Sequence, residues 1–242
     1  MPFAMPKQKV YLYGGIAIVL IAVIAIAAYV QVTQQAKNEQ TKALNNVAAT
    51  AKKPSAATPL PADKLTQTYA EPGMGYAIMF PDSWIIGKTD KGTKSVILTG
   101  KQGSTATGAT IVIQNLLTTK TAGVYADVNA ASSDLKTQLA LQGKNTQVSE
   151  EAPIAYTTSK GQNVKGVQWF AQFDVNGTPF KQLQIVLTHP NQAYLHSIAY
   201  AAPADVYTVN EATAREIIKS FVMSEEPFSA TSTQAAATST KK

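Results

Sequence analysis

The 242-residue chain reads as an α+β protein, a mostly antiparallel β-sheet covered by helices on both faces and preceded by a single transmembrane helix. Three observations predict this. Between Pro61 and Pro227, short β-rich segments follow one another at hairpin spacing. Two stretches of helical apolar periodicity interrupt and then end that series. Near the N-terminus an uncharged apolar run has the length of a membrane span.

The span comes first in the chain. No charged residue occurs from Val10 to Ala36, and the 20 residues Tyr11–Val30 at 1.5 Å each match a hydrocarbon core of about 30 Å. Tyr11, Tyr13 and Tyr29 sit near its ends, where amphipathic rings favour the interface. Lys7 and Lys9 precede it closely, so residues 1–9 are expected to stay cytoplasmic and the C-terminal domain to be exported. A cleaved signal peptide is the competing reading, with Ile16–Ile24 as its apolar core and Ala25-Ile26-Ala27 as a small-x-small cleavage site. Residues 31–61, polar and ending in Pro54, Pro59 and Pro61, read as a linker reaching roughly 30 Å. Residues 62–226 are the expected domain, and the low-complexity stretch 227–242 is expected to be a disordered tail.

Charge and composition exclude several functions. The net charge of +6 belongs mainly to the ends, because residues 62–226 carry 13 basic against 14 acidic groups. A near-neutral domain offers no cationic face for phosphates, so no nucleic-acid partner is expected. With no cysteine and only His189 and His196, thiol chemistry, thiolate metal sites and lipidation of a cysteine are excluded.

Within the domain the expected strands are Gly75–Phe80, Ser95–Thr99, Thr110–Leu116, Gln147–Tyr156, Val164–Val175, Pro179–His189 and Ala193–Ala201. Asn176-Gly177 suits a type I′ turn and so predicts a hairpin from Val164 to His189. Val167, Trp169, Ala171, Phe173 and Val175 share one face of its first strand, and Leu183, Ile185 and Leu187 are expected to meet them from the second. Phe170, Val186, Ile198 and Tyr200 add apolar surface on the other side, which calls for a cover on each face. Val124, Val128, Ala131, Leu135 and Leu139 predict a helix over 124–142 with Gly143 as its C′ residue. Ala214, Ile217, Ile218 and Phe221 predict a second helix, opened by a capping box at Thr208-Val209-Asn210-Glu211.

The segment Gly75–Trp84, GYAIMFPDSW, carries a strand into a Phe-Pro-x-x-Trp turn. Phe80-Pro81-Asp82-Ser83 suits a type I turn with proline second, after which Trp84 folds back as a core anchor. This segment resembles the opening of PsbP-like domains. The closing hairpin, Ala201-Ala202-Pro203 and a helix finishing at Lys219-Ser220-Phe221 are similar too, so the resemblance spans about residues 66–224. It implies an α/β/α sandwich whose members are mostly accessory or binding proteins, among them a photosystem subunit and bacterial exported lipoproteins of the DcrB type. Tyr76, Phe80, Pro81, Trp84, Trp169 and Phe221 are the expected structural motif.

No catalytic, cofactor or metal site is expected. His189 and His196 are placed where they could meet across a hairpin, but they lack a third ligand at recognisable spacing and read as satisfied structural or surface histidines. Gly103–Gly108 lacks the Gly-Lys-Ser/Thr of a phosphate loop, and Gly73-Met74-Gly75 opens a strand rather than a nucleotide-binding helix. There is no G-x-S-x-G elbow. Glu150 and Glu151, adjacent in a strand, would point to opposite faces. Asn176-Gly177-Thr178 is a formal glycosylation sequon, without meaning in the bacterial chain that the resemblance suggests. Trp169, Phe170, Phe173 and Phe180 read as core, with a small apolar ligand pocket between sheet and helix as the second reading. The expectation is a non-enzymatic, membrane-anchored, extracytoplasmic domain that binds or supports another envelope component.

Overall fold

Asn176 and Gly177 adopt φ of 50° and 80°, the pair of positive values that a type I′ turn requires. The turn joins β8 (Asn163–Val175) to β9 (Thr178–Thr188), the longest hairpin of a computed structural model that describes residues 57–224 except 91–93 and 159. The expected cytoplasmic tail, the span at 10–30, most of the 31–61 linker and the 227–242 tail lie outside the described residues. Among the described residues no helix is long and apolar enough to cross a membrane.

The remaining strands are β1 (Gln67–Glu71), β2 (Tyr76–Phe80), β3 (Trp84–Asp90), β4 (Ser95–Gly100), β5 (Thr110–Leu117), β6 (Lys144–Val148), β7 (Ala152–Thr157), β10 (Tyr194–Pro203) and β11 (Val222–Met223). Among the described residues the α-helices are α1 (Val128–Gln142) and α2 (Ala204–Lys219). Eight strands form one sheet in the order β3-β4-β5-β10-β9-β8-β6, with β7 also paired to β8; β1-β2-β11 form a second, small sheet. Every strand pair in both sheets is antiparallel, so the α+β class with a mostly antiparallel sheet and two helices holds.

Two apolar cores flank β9. Leu183, Ile185 and Leu187 join Trp84, Ile198, Tyr200 and the α2 residues Ala214 and Ile217. Phe180 and Val186 join Val167, Trp169, Ala171 and Phe173 of β8 with Leu135 and Leu139 of α1. The expected meeting of Leu183, Ile185 and Leu187 with the Trp169 face therefore does not occur. Trp169 pairs with Gln184 and Phe170 with Leu183. A two-residue turn puts odd positions opposite even ones, and directly paired residues share a face.

Several local expectations shift. The helix expected over 124–142 begins at Val128, because the Asp127 carboxylate accepts from Ala130 N at 2.9 Å and Tyr125 is held extended by a bridge to Thr118. Val124 is left 61% exposed. Gly143 is extended (φ −88°) rather than left-handed; a Cβ there would lie 2.9 Å from the Phe173 Cβ, so close approach, not φ, demands glycine. Thr208–Glu211 is no capping box. It lies inside α2, which starts after Pro203, and Glu211 instead pairs with Arg215.

The single strand expected over Gln147–Tyr156 is two, β6 and β7, lying end to end along β8. The turn after Phe80 closes through Trp84 N to Pro81 O at 3.0 Å, which makes proline the first rather than the second residue. β1, β3 and β11 have no counterpart among the expected strands. Upstream of β1, Leu60 N donates to Val209 O and Asp63 N to Thr213 Oγ1, so the incoming chain is stitched along α2.

Candidate functional site

The motif residues Tyr76, Phe80, Trp84, Trp169 and Phe221 are each at most 2% exposed, and Pro81 is buried beside them. Trp169 donates from Nε1 to Ser132 Oγ at 3.0 Å, and its indole lies 5.8 Å below Lys136 Nζ. Phe173 and Phe180 stack at 5.9 Å in the same core, while Phe170 sits on the other face beneath the Arg215 guanidinium. These four aromatics therefore line no common groove.

Glu150 and Glu151 are not in a strand. They occupy the break between β6 and β7, where Glu151 accepts from the buried Ser132 hydroxyl and pairs with Lys136 at 2.9 Å. Its carboxyl is held below the usual range by those two partners, against the opposing effect of burial. This Trp169–Ser132–Glu151–Lys136 chain ties α1 to the sheet. Sequence reasoning missed it because its members come from three separate elements.

The two histidines come together as expected, with ring centroids 5.4 Å apart. Ser224 O lies 3.0 Å from His189 Nε2, and a carbonyl only accepts, so that nitrogen carries the proton. His189 Nδ1 accepts from Asn191 N at 3.3 Å. His196 has the opposite tautomer. Its Nδ1 donates to Asn115 Oδ1 at 2.9 Å, because the Asn115 amide nitrogen is committed to Lys94 O. His196 Nε2 is left without a partner inside a cage of Tyr76, Tyr194 and Phe221. Burial, reinforced by the neighbouring His189, pushes His196 down to about 3, so it stays neutral at ordinary pH. Burial likewise raises Tyr76 and lifts Tyr194 to about 12.

His189 also forms part of the wall of a cleft at the end of the sheet, about 420 Å³ in volume. Thr118, Lys120, Asp127, Asn163, Lys165 and Gln192 are among the residues around it. Its rim is rigid. Thr118 Oγ1 and Thr121 Oγ1 both donate to Ala193 O, at 3.1 and 2.7 Å, and Thr119 N donates to Tyr125 O at 2.9 Å. The cleft lies away from Trp169, where the sequence suggested an apolar pocket. No pattern in the sequence announces it, since four separate stretches of chain contribute to its walls.

No family model and no curated protein sequence matches this chain. Solved structures do show similarity. A cyanobacterial PsbP is among them. That protein, from Synechocystis sp., is 14% identical over 74% of this chain and 99% of its own, with a TM-score of 0.43. LpqN of Mycobacterium tuberculosis, described as involved in cell envelope biogenesis, is 15% identical over 69% of this chain and 90% of its own, at 0.45. A Ran-binding protein of Saccharomyces cerevisiae is 10% identical over 67% and 97%, at 0.44. PsbP is the group that the Gly75–Trp84 segment resembles; the functions of these proteins stay with them.

Proposed function

We propose that this chain is a non-enzymatic, membrane-anchored domain that binds or supports another cell-envelope component. In this reading Tyr11–Val30 is the anchor, residues 1–9 are cytoplasmic and the domain is extracytoplasmic, a PsbP-like sandwich with α1 on one sheet face and α2 on the other. The observation that carries it is the burial of both histidines. The side chains best suited to acid–base chemistry near neutral pH are 0–1% exposed and fully engaged with the fold's own groups or caged by aromatic rings. His196 so placed is sealed inside the fold, and His189, although it lines the cleft, has both ring nitrogens taken up by Ser224 O and Asn191 N.

What the surface does offer is an edge for docking. Among the described residues β3 pairs only with β4, and it shows Ile85 and Ile86, 43% and 44% exposed, along a strand interrupted by a bulge near Gly87. The stitching at Leu60 and Asp63 sets where the tether meets the domain, beside α2. The test is in-cell crosslinking of the tagged full-length protein, then solubilisation and mass spectrometry. One envelope protein recovered near stoichiometry, and lost when Ile85 and Ile86 are replaced by lysine, is the expected result. Turnover of a generic ester or glycan substrate that vanishes in a His196→Ala variant would overturn the reading.

A further inference from the structure

We propose that the cleft at the end of the large sheet is a binding site for a small oxyanion, a carboxylate or phosphate group on a low-molecular-weight ligand. Its volume of about 420 Å³ falls in the range of small-molecule sites. Its charged lining is Lys120, Lys165 and Asp127. Asp127 already caps α1 through Ala130 N, so its carboxylate is turned to the helix terminus. Neither lysine meets a carboxylate among the described residues. Lys120 Nζ is steered across the rim by the side-chain oxygen of Gln192, a neutral partner that leaves its charge uncompensated.

The walls suit such a ligand. Asn163 and Gln192 add side-chain amides to the lining, while the Thr118 hydroxyl is already spent on Gln192 O and Ala193 O. No phenylalanine, tyrosine or tryptophan lines the cleft, so a sugar ring finds no aromatic stacking surface there. The rim needs no ordering on binding, because its hydrogen bonds to Ala193 O and between Thr119 and Tyr125 are already made. The cleft also lies at the opposite end of β10 from the α2 start. From Leu195 to Ala202 the strand runs roughly 23 Å at 3.3 Å per residue. The incoming chain meets α2 at Val209 and Thr213, so it does not cover the cleft.

The test is isothermal titration calorimetry of the full-length chain in an uncharged detergent, with inorganic phosphate, succinate and glucose as probes. The expected result is saturable binding of phosphate or succinate that weakens as salt is added, with no heat from glucose. Because each lysine would form a charge-assisted hydrogen bond, Lys120→Ala and Lys165→Ala should each weaken it roughly tenfold to a hundredfold. Both are surface positions, and unchanged melting temperatures will show that the variants fold. Phosphate as the tighter probe would indicate a phosphate ester, and succinate a carboxylic acid. No saturable heat at millimolar probe, or binding that survives in the double variant, would overturn the proposal. It stands or falls separately from the envelope partner, which crosslinking tests.

Discussion

Replacing His196 by glutamine tests how completely its imidazole is sealed. Glutamine keeps a polar amide inside the cage but has no proton to gain in acid. In the folded chain burial holds His196 at about 3, against an ordinary value of 6.5. The unfolded chain therefore binds more protons throughout that interval. The contribution to stability is complete above pH 6.5 and is lost as the pH falls towards 3. Between about pH 7.5 and pH 5, where ordinary carboxylates stay largely ionised, the linkage amounts to about 2 kcal/mol, with a slope approaching 1.4 kcal/mol per pH unit. Urea unfolding followed by tryptophan fluorescence, at half-unit pH steps, reads that slope directly. The expected outcome is a His196→Gln variant whose decline over the same window is smaller than the wild type's by about this amount. Equal slopes in the two proteins would refute the reasoning, since the imidazole would then be as accessible to protons folded as unfolded.

The other predictions concern packing. Trp84→Ala, which empties a wholly buried indole site, should cost about 3–5 kcal/mol in urea unfolding, and near-native stability would remove Trp84 from its anchoring role. Ser132→Ala leaves the Trp169 Nε1–H without its acceptor and removes a partner of Glu151; about 1–3 kcal/mol of destabilisation is expected by thermal denaturation. Gly143→Ala must push the Phe173 Cβ or the Thr146 hydroxyl, each under 3.0 Å from the added carbon, and should cost about 1–3 kcal/mol. A neutral effect there would show that the end of α1 is free to shift.

Much of this fold is legible residue by residue. Asn176-Gly177 specifies its own positive φ pair, and with it the longest hairpin. The periodicity of Val128, Ala131, Leu135 and Leu139 marks the buried stripe of α1, because a helix repeats its facing side chains every three or four residues. Trp84 and Trp169 announce themselves as anchors by size and apolar surroundings. Even the face of Leu183 is encoded, since a two-residue turn fixes the parity of every pair beyond it. Reading the second strand from its own alternation, without counting from the turn, puts Leu183 on the wrong side. The break between β6 and β7 is a different case. Within residues 147–156 the Ser149 hydroxyl takes the Phe170 N–H and Pro153 lies just beyond the break, but it is a serine and a lysine from α1 that hold Glu151 out of line.

By itself, then, the sequence determined the elements whose causes are local: the type I′ turn, the apolar stripes and the absence of cysteine chemistry. Only the tertiary structure decided what depends on distant segments meeting. Sealing of His196 requires Asn115 from β5, Tyr76 from β2 and Phe221 from beyond α2 to converge on β10. The cleft exists because the ends of β5 and β9, the start of β8 and the approach to α1 stop at the same edge. Burial and cavities are properties of chains packed in three dimensions, and no run of neighbouring residues contains them.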